Sequence, residues 1–310
     1  MKSAIAVLFA LPIALWGQSE SRTYVFDLEG RRVPWSASSS AAGAASASVE
    51  NLNGRKAPLE SVEERLISQQ GGVKTVERLI QRFSGDGSKL PLEREVIETT
   101  DLGSGRQTLS KTVYRGDFNG RMALAERVVE QTEPAGSSAV AVTTLIDRPT
   151  ISGTFQTIER REARITTGQD RSERDETSYL PDANGRFAEA SRVVERVSKT
   201  GGQTVKQVDE FESATTGRLS LSKQVVSTTT VTAAGEVTVS DVYGTAAPGR
   251  PATGQLQIRE RQVVEKTIGA AGITETLSIQ RPAADGSGRL GELRKVAETV
   301  CTGRCAPAKP

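Results

Sequence analysis

The sequence predicts an all-β chain of tandem antiparallel hairpins, and three observations carry that expectation. A small or polar residue followed by one apolar anchor recurs about every 33 residues, at Val33, Ala57, Leu90, Met122, Phe155, Phe187, Leu219, Leu256 and Leu290; such a period marks an array of like supersecondary units. The segments between anchors are rich in Thr and Val, which favour extended backbone. Glycine-containing turns separate them, including Asn119-Gly120 and Asn184-Gly185, a dipeptide suited to hairpin turns.

The elements follow in order. Residues 1–17 read as a secretory signal peptide, with Lys2 as the positive start, Ala4 to Leu15 as the apolar run, and Gly17 or Ser19 as a small cleavage residue. That run is short for a bilayer span. Residues 18–53 read as one strand from Arg22 to Leu28, a turn at Gly30, and an Ala/Ser-rich stretch from Ser36 to Ser48. The stretch lacks apolar periodicity and is expected to be a linker or a degenerate first repeat. The repeat domain occupies 54–305, and 306–310 form a short tail.

Within a repeat the first segment alternates. Leu90, Leu92 and Val96 share one parity, as do Met122, Leu124 and Val128, and Leu219, Leu221 and Val225. Period two assigns each trio to one face of a strand. A turn such as Thr200-Gly201-Gly202 follows, then a second strand such as Glu236 to Tyr243. Hairpins added side by side give an extended or solenoid-like sheet. Two features keep alternatives open. Leu59, Val62 and Leu66, then Val73, Val76, Ile80 and Phe83, recur at helical spacing, so a helical hairpin over 58–84 stays open as an exception to the all-β reading. Tyr114, Tyr179 and Tyr243 recur at about twice the basic period, which suits paired hairpins closing into a small propeller-like ring.

Composition narrows the chemistry. Forty basic residues balance thirty-eight acidic ones, so no global field attracts nucleic acid. No aromatic stacking platform accompanies the arginines either. The chain has no histidine, which removes Ser-His-Asp and Cys-His catalysis and the commonest zinc ligand. Carboxylates are abundant but none stands in a distinctive context, so a carboxylate hydrolase is a remote alternative and no enzyme is expected. Turns holding Asp86, Asp117, Asp182 and Asp285 resemble fragments of calcium loops, yet each offers too few oxygens. No cofactor or metal is expected. Cys301 and Cys305 are expected to pair through a tight turn in an oxidising compartment.

Arg127, Arg160, Arg192 and Arg261 each follow an anchor by five residues. Stacked repeats align them as a basic ladder, with Glu98, Glu130, Glu195 and Glu298 as a neighbouring acidic one. The ladder reads either as a self-neutralising sheet face or as a stripe for an anionic envelope polymer or another surface protein. Arg, Lys, Glu and Gln interrupt both parities of most strands, so no transmembrane insertion is expected. The function expected from sequence is an exported, non-enzymatic envelope protein with a structural or adhesion role, in the periplasm, at the cell surface or outside the cell. The ring alternative would instead hold a glycan or small ligand on its axis.

Overall fold

The computed structural model describes residues 19–27, 29–41, 43–50, 55–117, 119–213, 218–245, 256–269, 272–283 and 289–303. Residues 1–17, where the sequence predicts a signal peptide, and Cys305 lie outside them. The strands in chain order are β1 (Ser19–Phe26), β2 (Arg32–Ala41), β3 (Ala44–Glu50), β4 (Lys56–Gln70), β5 (Val73–Arg82) and β6 (Glu93–Gly103). Next come β7 (Arg106–Gly116), β8 (Met122–Pro134), β9 (Ala139–Pro149), β10 (Phe155–Thr167), β11 (Arg171–Pro181) and β12 (Phe187–Thr200). The last six are β13 (Gln203–Ser213), β14 (Leu219–Thr232), β15 (Gly235–Gly244), β16 (Gln257–Gly269), β17 (Gly272–Gln280) and β18 (Arg294–Gly303).

Every strand pairs antiparallel with its neighbours in the chain, and β18 returns to β1, from Ser19 opposite Gly303 to Val25 opposite Ala297. The 18-stranded sheet is therefore a closed up-and-down barrel. This corrects the open or solenoid-like sheet and the propeller-like ring. Both readings had the hairpins right and the closure wrong. Local repeats specify neighbouring strands, whereas closure depends on the stagger accumulated over all of them. Following the ladder once around returns to β1 on the order of 20 residues further along, which tilts the strands about 40° to the axis. Eighteen strands at ~4.8 Å spacing and that tilt give a wall-to-wall backbone diameter on the order of 35 Å.

Each anchor opens or shortly precedes an even-numbered strand, so one repeat is one hairpin. The helical spacing in 58–84 is coincidental, because β4 and β5 form a hairpin there around Gly71 and Gly72. The Ala/Ser-rich stretch is the β2–β3 hairpin, held by ladder bonds that need no apolar side chains. It is thus the degenerate first repeat and not a linker.

Strand alternation is broken mainly at one level, with two further shifts at Ile67 and Leu102 beside the Gly71-Gly72 and Ser104-Gly105 turns. A β-bulge places one extra residue in β2, β4, β8, β10, β12, β14, β16 and β18, each near the start of the strand, as at Trp35, Ala125, Ala190 and Ser222. A bulge shifts side-chain parity. Met122 and Leu124 therefore face one way and Val128 the other, and Leu219 and Leu221 are likewise separated from Val225. The single-face assignment of those trios is corrected by this ring of bulges.

Residues opposite each other in a ladder share a face, so the registers define two faces all the way round. Most of the buried apolar residues share one parity: Ala45 is buried between exposed Ala44 and Ser46, Val142 beside exposed Ala141, and Ala163 between exposed Glu162 and Arg164, whereas Ala139 and Val194 are buried on the other face. Side chains crowd on the concave side of a curved wall, so this covered face is the lumen.

Hairpin turns hold glycines against the next strand at Gly43, Gly235 and Gly272, most closely at the last two. Gly235 and Gly272 have φ of 148° and 137°, and a Cβ there would lie 1.9 Å from the Lys266 carbonyl oxygen and 2.0 Å from that of Cys301. Gly153 has φ 80° with open space around its Cβ position. We expect Gly235→Ala to cost about 2–4 kcal/mol and Gly153→Ala about 1 kcal/mol, read from denaturant midpoints of the refolded chain. Equal costs would contradict the close approach.

Candidate functional site

The barrel has two different ends. On one, strands join through short turns such as Gly71-Gly72, Ser104-Gly105 and Gly201-Gly202. On the other, the connections are longer, and several are built alike. In 117–121 and 182–186 an Asp carboxylate accepts the backbone N–H groups two and four residues on: Asn119 at 2.8 Å and Arg121 at 2.9 Å, then Asn184 at 2.8 Å and Arg186 at 2.9 Å. Asp27 does the same for Glu29 and Arg31. These carboxylates are turn caps, which accounts for the loops that resemble calcium-binding fragments. Asp285 lies outside the described residues.

The outward face at the loop end carries a collar of large rings and apolar side chains. Tyr24, Tyr114, Tyr179, Phe211 and Tyr243 stand at the ends of odd strands. Met122, Phe155, Phe187 and Leu219 open the even strands between them. Ladder partners place them on one face: Tyr114 opposite Leu124, Phe211 opposite Leu221, Tyr243 opposite Ile258. Guanidinium groups lie over these rings, Arg32 on Tyr24 at 3.6 Å, Arg127 on Phe155 at 4.5 Å, and Arg160 on Tyr179 at 4.6 Å and Phe187 at 5.6 Å. Cations over ring faces are attracted by the ring quadrupole.

One layer deeper on the outer wall runs an ionic belt. Arg192 donates Nε and Nη2 to Asp175 at 2.7 and 2.5 Å, and Arg261 does the same to Asp241 at 2.6 and 2.8 Å. Asp209 accepts from Arg196 at 2.8 Å, Gln224 at 2.8 Å and Gln207 at 3.0 Å. Glu77 accepts from Arg94 at 2.6 Å and from Arg65, and is only 2% exposed although it sits on the outer wall. The overlying arginine stems cover it.

The four arginines of the sequence ladder thus share one face and one level, and differ in engagement. Arg192 and Arg261 are clamped to carboxylates. Arg160 has Glu162 at 3.3 Å and two rings. Arg127 lies opposite Asp147 in the ladder without an ion pair among the described residues, against Phe155. The carboxylate partners Asp175, Asp209, Asp241 and Glu77 escaped sequence reading, because they sit on odd strands at a register only the structure fixes. Cys301 lies in β18; its expected partner Cys305 is outside the described residues, so that pairing stays a proposal.

The lumen wall is polar and sectored. Over β4–β7 two rows of alternating charge run across the strands: Glu60–Arg82–Glu93–Arg115 at 2.9, 3.7 and 3.0 Å, and Glu64–Arg78–Glu95–Lys111 at 2.6, 3.9 and 3.2 Å. Over β14, β15 and β1–β3 hydroxyls replace charges, with Ser227 and Ser240 at 2.8 Å, Thr229 and Thr238 at 2.8 Å, and Ser19 and Ser40 at 2.7 Å. A hollow of about 330 Å³ lies on the outer wall beside Asp175, Tyr179 and Arg192. It is not on the axis, where the ring alternative placed its ligand.

No family model matches the chain, and no curated protein matches it. Solved structures do. The chain resembles a doubly substituted mutant of the Rhodopseudomonas blastica porin, with a TM-score of 0.53 at 10% identity over 92% of this chain and 98% of that one. A triple mutant of the same porin gives 0.52 at 10% identity over 93% and 98%. A structure described as "Asymmetric conductivity of engineered proteins" gives 0.52 at 10% identity over 92% and 98%. At this identity the likeness is one of fold: an all-β barrel of porin type.

Asp86 in the β5–β6 loop accepts from Ser84, from the Ser88 N–H at 3.0 Å and from the Ser88 hydroxyl at 2.8 Å, which lowers its pKa to about 2. A lowered carboxylate pKa means the turn is favoured above the ordinary value of 3.8 and loses that support as pH falls towards about 2. Chemical-shift titration of the Ser88 amide should therefore show its midpoint near 2, and a midpoint near 4 would refute the cap. Glu77→Gln should destabilise the barrel by about 1–3 kcal/mol through its two stranded arginines, read as a denaturant midpoint beside an exposed control such as Glu292→Gln.

Proposed function

We propose that the chain is an exported, non-enzymatic barrel of the outer membrane that gives polar solutes a water-filled passage. The observation that carries this reading is closure: a meander of 18 antiparallel strands returns on itself around a lumen lined by charges and hydroxyls. Side chains from opposite walls leave a bore on the order of 20 Å. An even number of antiparallel strands, short turns at one end, longer loops at the other, and outward rings at a rim are the features of strand-built membrane passages. The likeness to solved porins supports the same reading. Nothing in this architecture supports the structural or adhesion role expected from the repeats, and the expectation of no transmembrane insertion meets a fold suited to crossing membranes with strands. The signal peptide belongs to this reading as well.

One observation favours a second reading. The outer wall carries its ionic belt immediately below the collar, and an arginine or lysine on the lipid face at the membrane midplane costs about 2–4 kcal/mol. On that ground the barrel seats in the membrane by its loop-end rim and keeps the belt in water. Planar bilayers separate the two. A spanning passage gives stepwise conductance, and reversing Glu93 and Glu95 to Lys in the lumen rows shifts its reversal potential towards anion preference. Vesicle binding without conductance or solute permeation would sink the spanning passage and leave the seated barrel.

A further inference from the structure

We propose that the passage is built for uncharged polyhydroxyl solutes: its ion pairs cancel the field that would sort solutes by sign, and one charge-free arc of the lumen offers hydroxyls instead. The inference rests on the passage reading and adds its substrate class.

The lumen charges alternate from strand to strand. The Glu60–Arg82–Glu93–Arg115 row continues past β7, where Glu126 meets Arg148 at 2.9 Å. Glu60, Glu93 and Glu126 are 33 residues apart, and each arginine follows its glutamate by 22. The row is thus a product of the repeat, one pair per hairpin. In the next repeat Pro181 stands where an arginine would, and Glu159 meets Arg161 at 2.6 Å instead.

The far wall keeps the pattern, with Lys206 on Glu195 at 2.8 Å, Lys223 on Glu210 at 2.8 Å and Arg281 on Glu260 at 3.0 Å. Nearer the turn end, Glu236, Lys266 and Glu275 are successive ladder partners across β15–β17. Lys74, Glu130 and Glu212 stand outside these rows, singly, on β5, β8 and β13. Charges of alternating sign about 4.8 Å apart cancel within about 2 Å of the wall, well inside a Debye length. Across a bore on the order of 20 Å, the axis is then nearly free of field. A wall of one sign would concentrate ions of the other; this lining presents no such wall.

β1–β3 interrupt the charges. Among the described residues, none of their charged side chains faces the lumen. Ser19, Ser21 and Thr23 lie opposite Ser40, Ser38 and Ser36 in the ladder. The outer members are paired, Ser19 with Ser40 at 2.7 Å and Thr23 with Thr299 of β18 at 3.0 Å. Ser21 and Ser38 between them are half-buried and make no side-chain hydrogen bond among the described residues. Ala45 and Ala47 carry the arc on into β3 with nothing larger than a methyl group. A solute can therefore reach these hydroxyls without long side chains in its way. A hydroxyl both donates and accepts. A sugar exchanges water for such a wall without the cost of stripping an ion. In the charge rows, by contrast, donors and acceptors already engage one another.

The full chain in planar bilayers and in liposomes tests this. Gluconate and protonated glucosamine serve as probes of nearly one size and opposite sign, and maltotriose as the uncharged probe. We expect a reversal potential near zero in a KCl gradient, and gluconate and glucosamine entering liposomes at equal rates. Arg82→Gln, Arg115→Gln and Arg148→Gln together leave the glutamates of the row unbalanced; glucosamine should then enter about threefold faster than gluconate. Ser21→Ala with Ser38→Ala should slow maltotriose about twofold while KCl conductance stays unchanged. Thr108→Val on the outer wall is the control and should alter neither. Far-UV circular dichroism confirms that each variant is folded before comparison. A marked cation or anion preference in the unaltered chain would overturn the inference, as would maltotriose entry indifferent to loss of the two hydroxyls. A chain that conducts nothing removes the passage itself and this inference with it, a result distinct from conductance that sorts by charge.

Discussion

Closure of the hydrogen-bond ladder between β1 and β18 is the constraint on which the rest of the structure depends. Only eight hydrophobic residues are buried among those described, so no apolar core holds the walls together. Open sheet edges would expose rows of unpaired N–H and C=O groups, and only a closed barrel removes them altogether. The closing contacts are also the most distant in sequence; the Thr23 and Thr299 hydroxyls, 276 residues apart, meet at 3.0 Å in the lumen. Folding must pay the entropy of that last pairing after all the local hairpins have formed, which makes assembly slow.

The ring of bulges gives the barrel its second organising feature. Strand alternation alone would carry the large residues of the anchor region and the valines beyond them on one face. One extra residue in each bulged strand changes that, sending Met122 and Leu124 outwards and Val128 inwards. The outer wall therefore divides by height into a collar of rings and a belt of charge, and the lumen receives valines and charge rows instead of the rings. The functional contrast between rim and wall follows from eight single-residue insertions at one level.

Much of this was legible in the sequence, for physical reasons. Hairpins are local: anchors, turn glycines and β-branched density lie within a few tens of residues, so repeat length and strand pairing could be read. The common level of Arg127, Arg160, Arg192 and Arg261 could be read for the same reason. What those arginines face could not, because Asp175 and Asp241 reach them only through cross-strand register. The faces themselves were misread, since a bulge leaves no composition signal and shifts parity silently. Closure was illegible because no single repeat encodes the summed stagger. The helical spacing of 58–84 misled because short apolar runs fit either period.

Both faces of the sheet carry charged and polar side chains, and this poses a problem of register. Where one face is apolar, a one-residue slip exposes a whole hydrophobic row, and burial fixes the pairing. Here that penalty is weak, and charge takes over its role. A slip between β11 and β12 would move Arg192 off Asp175 and turn its side chain to the other face; a slip between β15 and β16 would do the same to Arg261 and Asp241. Within the lumen, a slip between β5 and β6 would set Arg82 and Arg78 away from Glu93 and Glu95. Each exposed pair contributes little by itself. Repeated around the wall and combined with fixed bulges and capped turns, the pairs make the native register the one in which the carboxylates of the outer belt and of the lumen rows meet their cations. Near equality of acidic and basic residues, which in the composition looked uninformative, supplies both partners of that device.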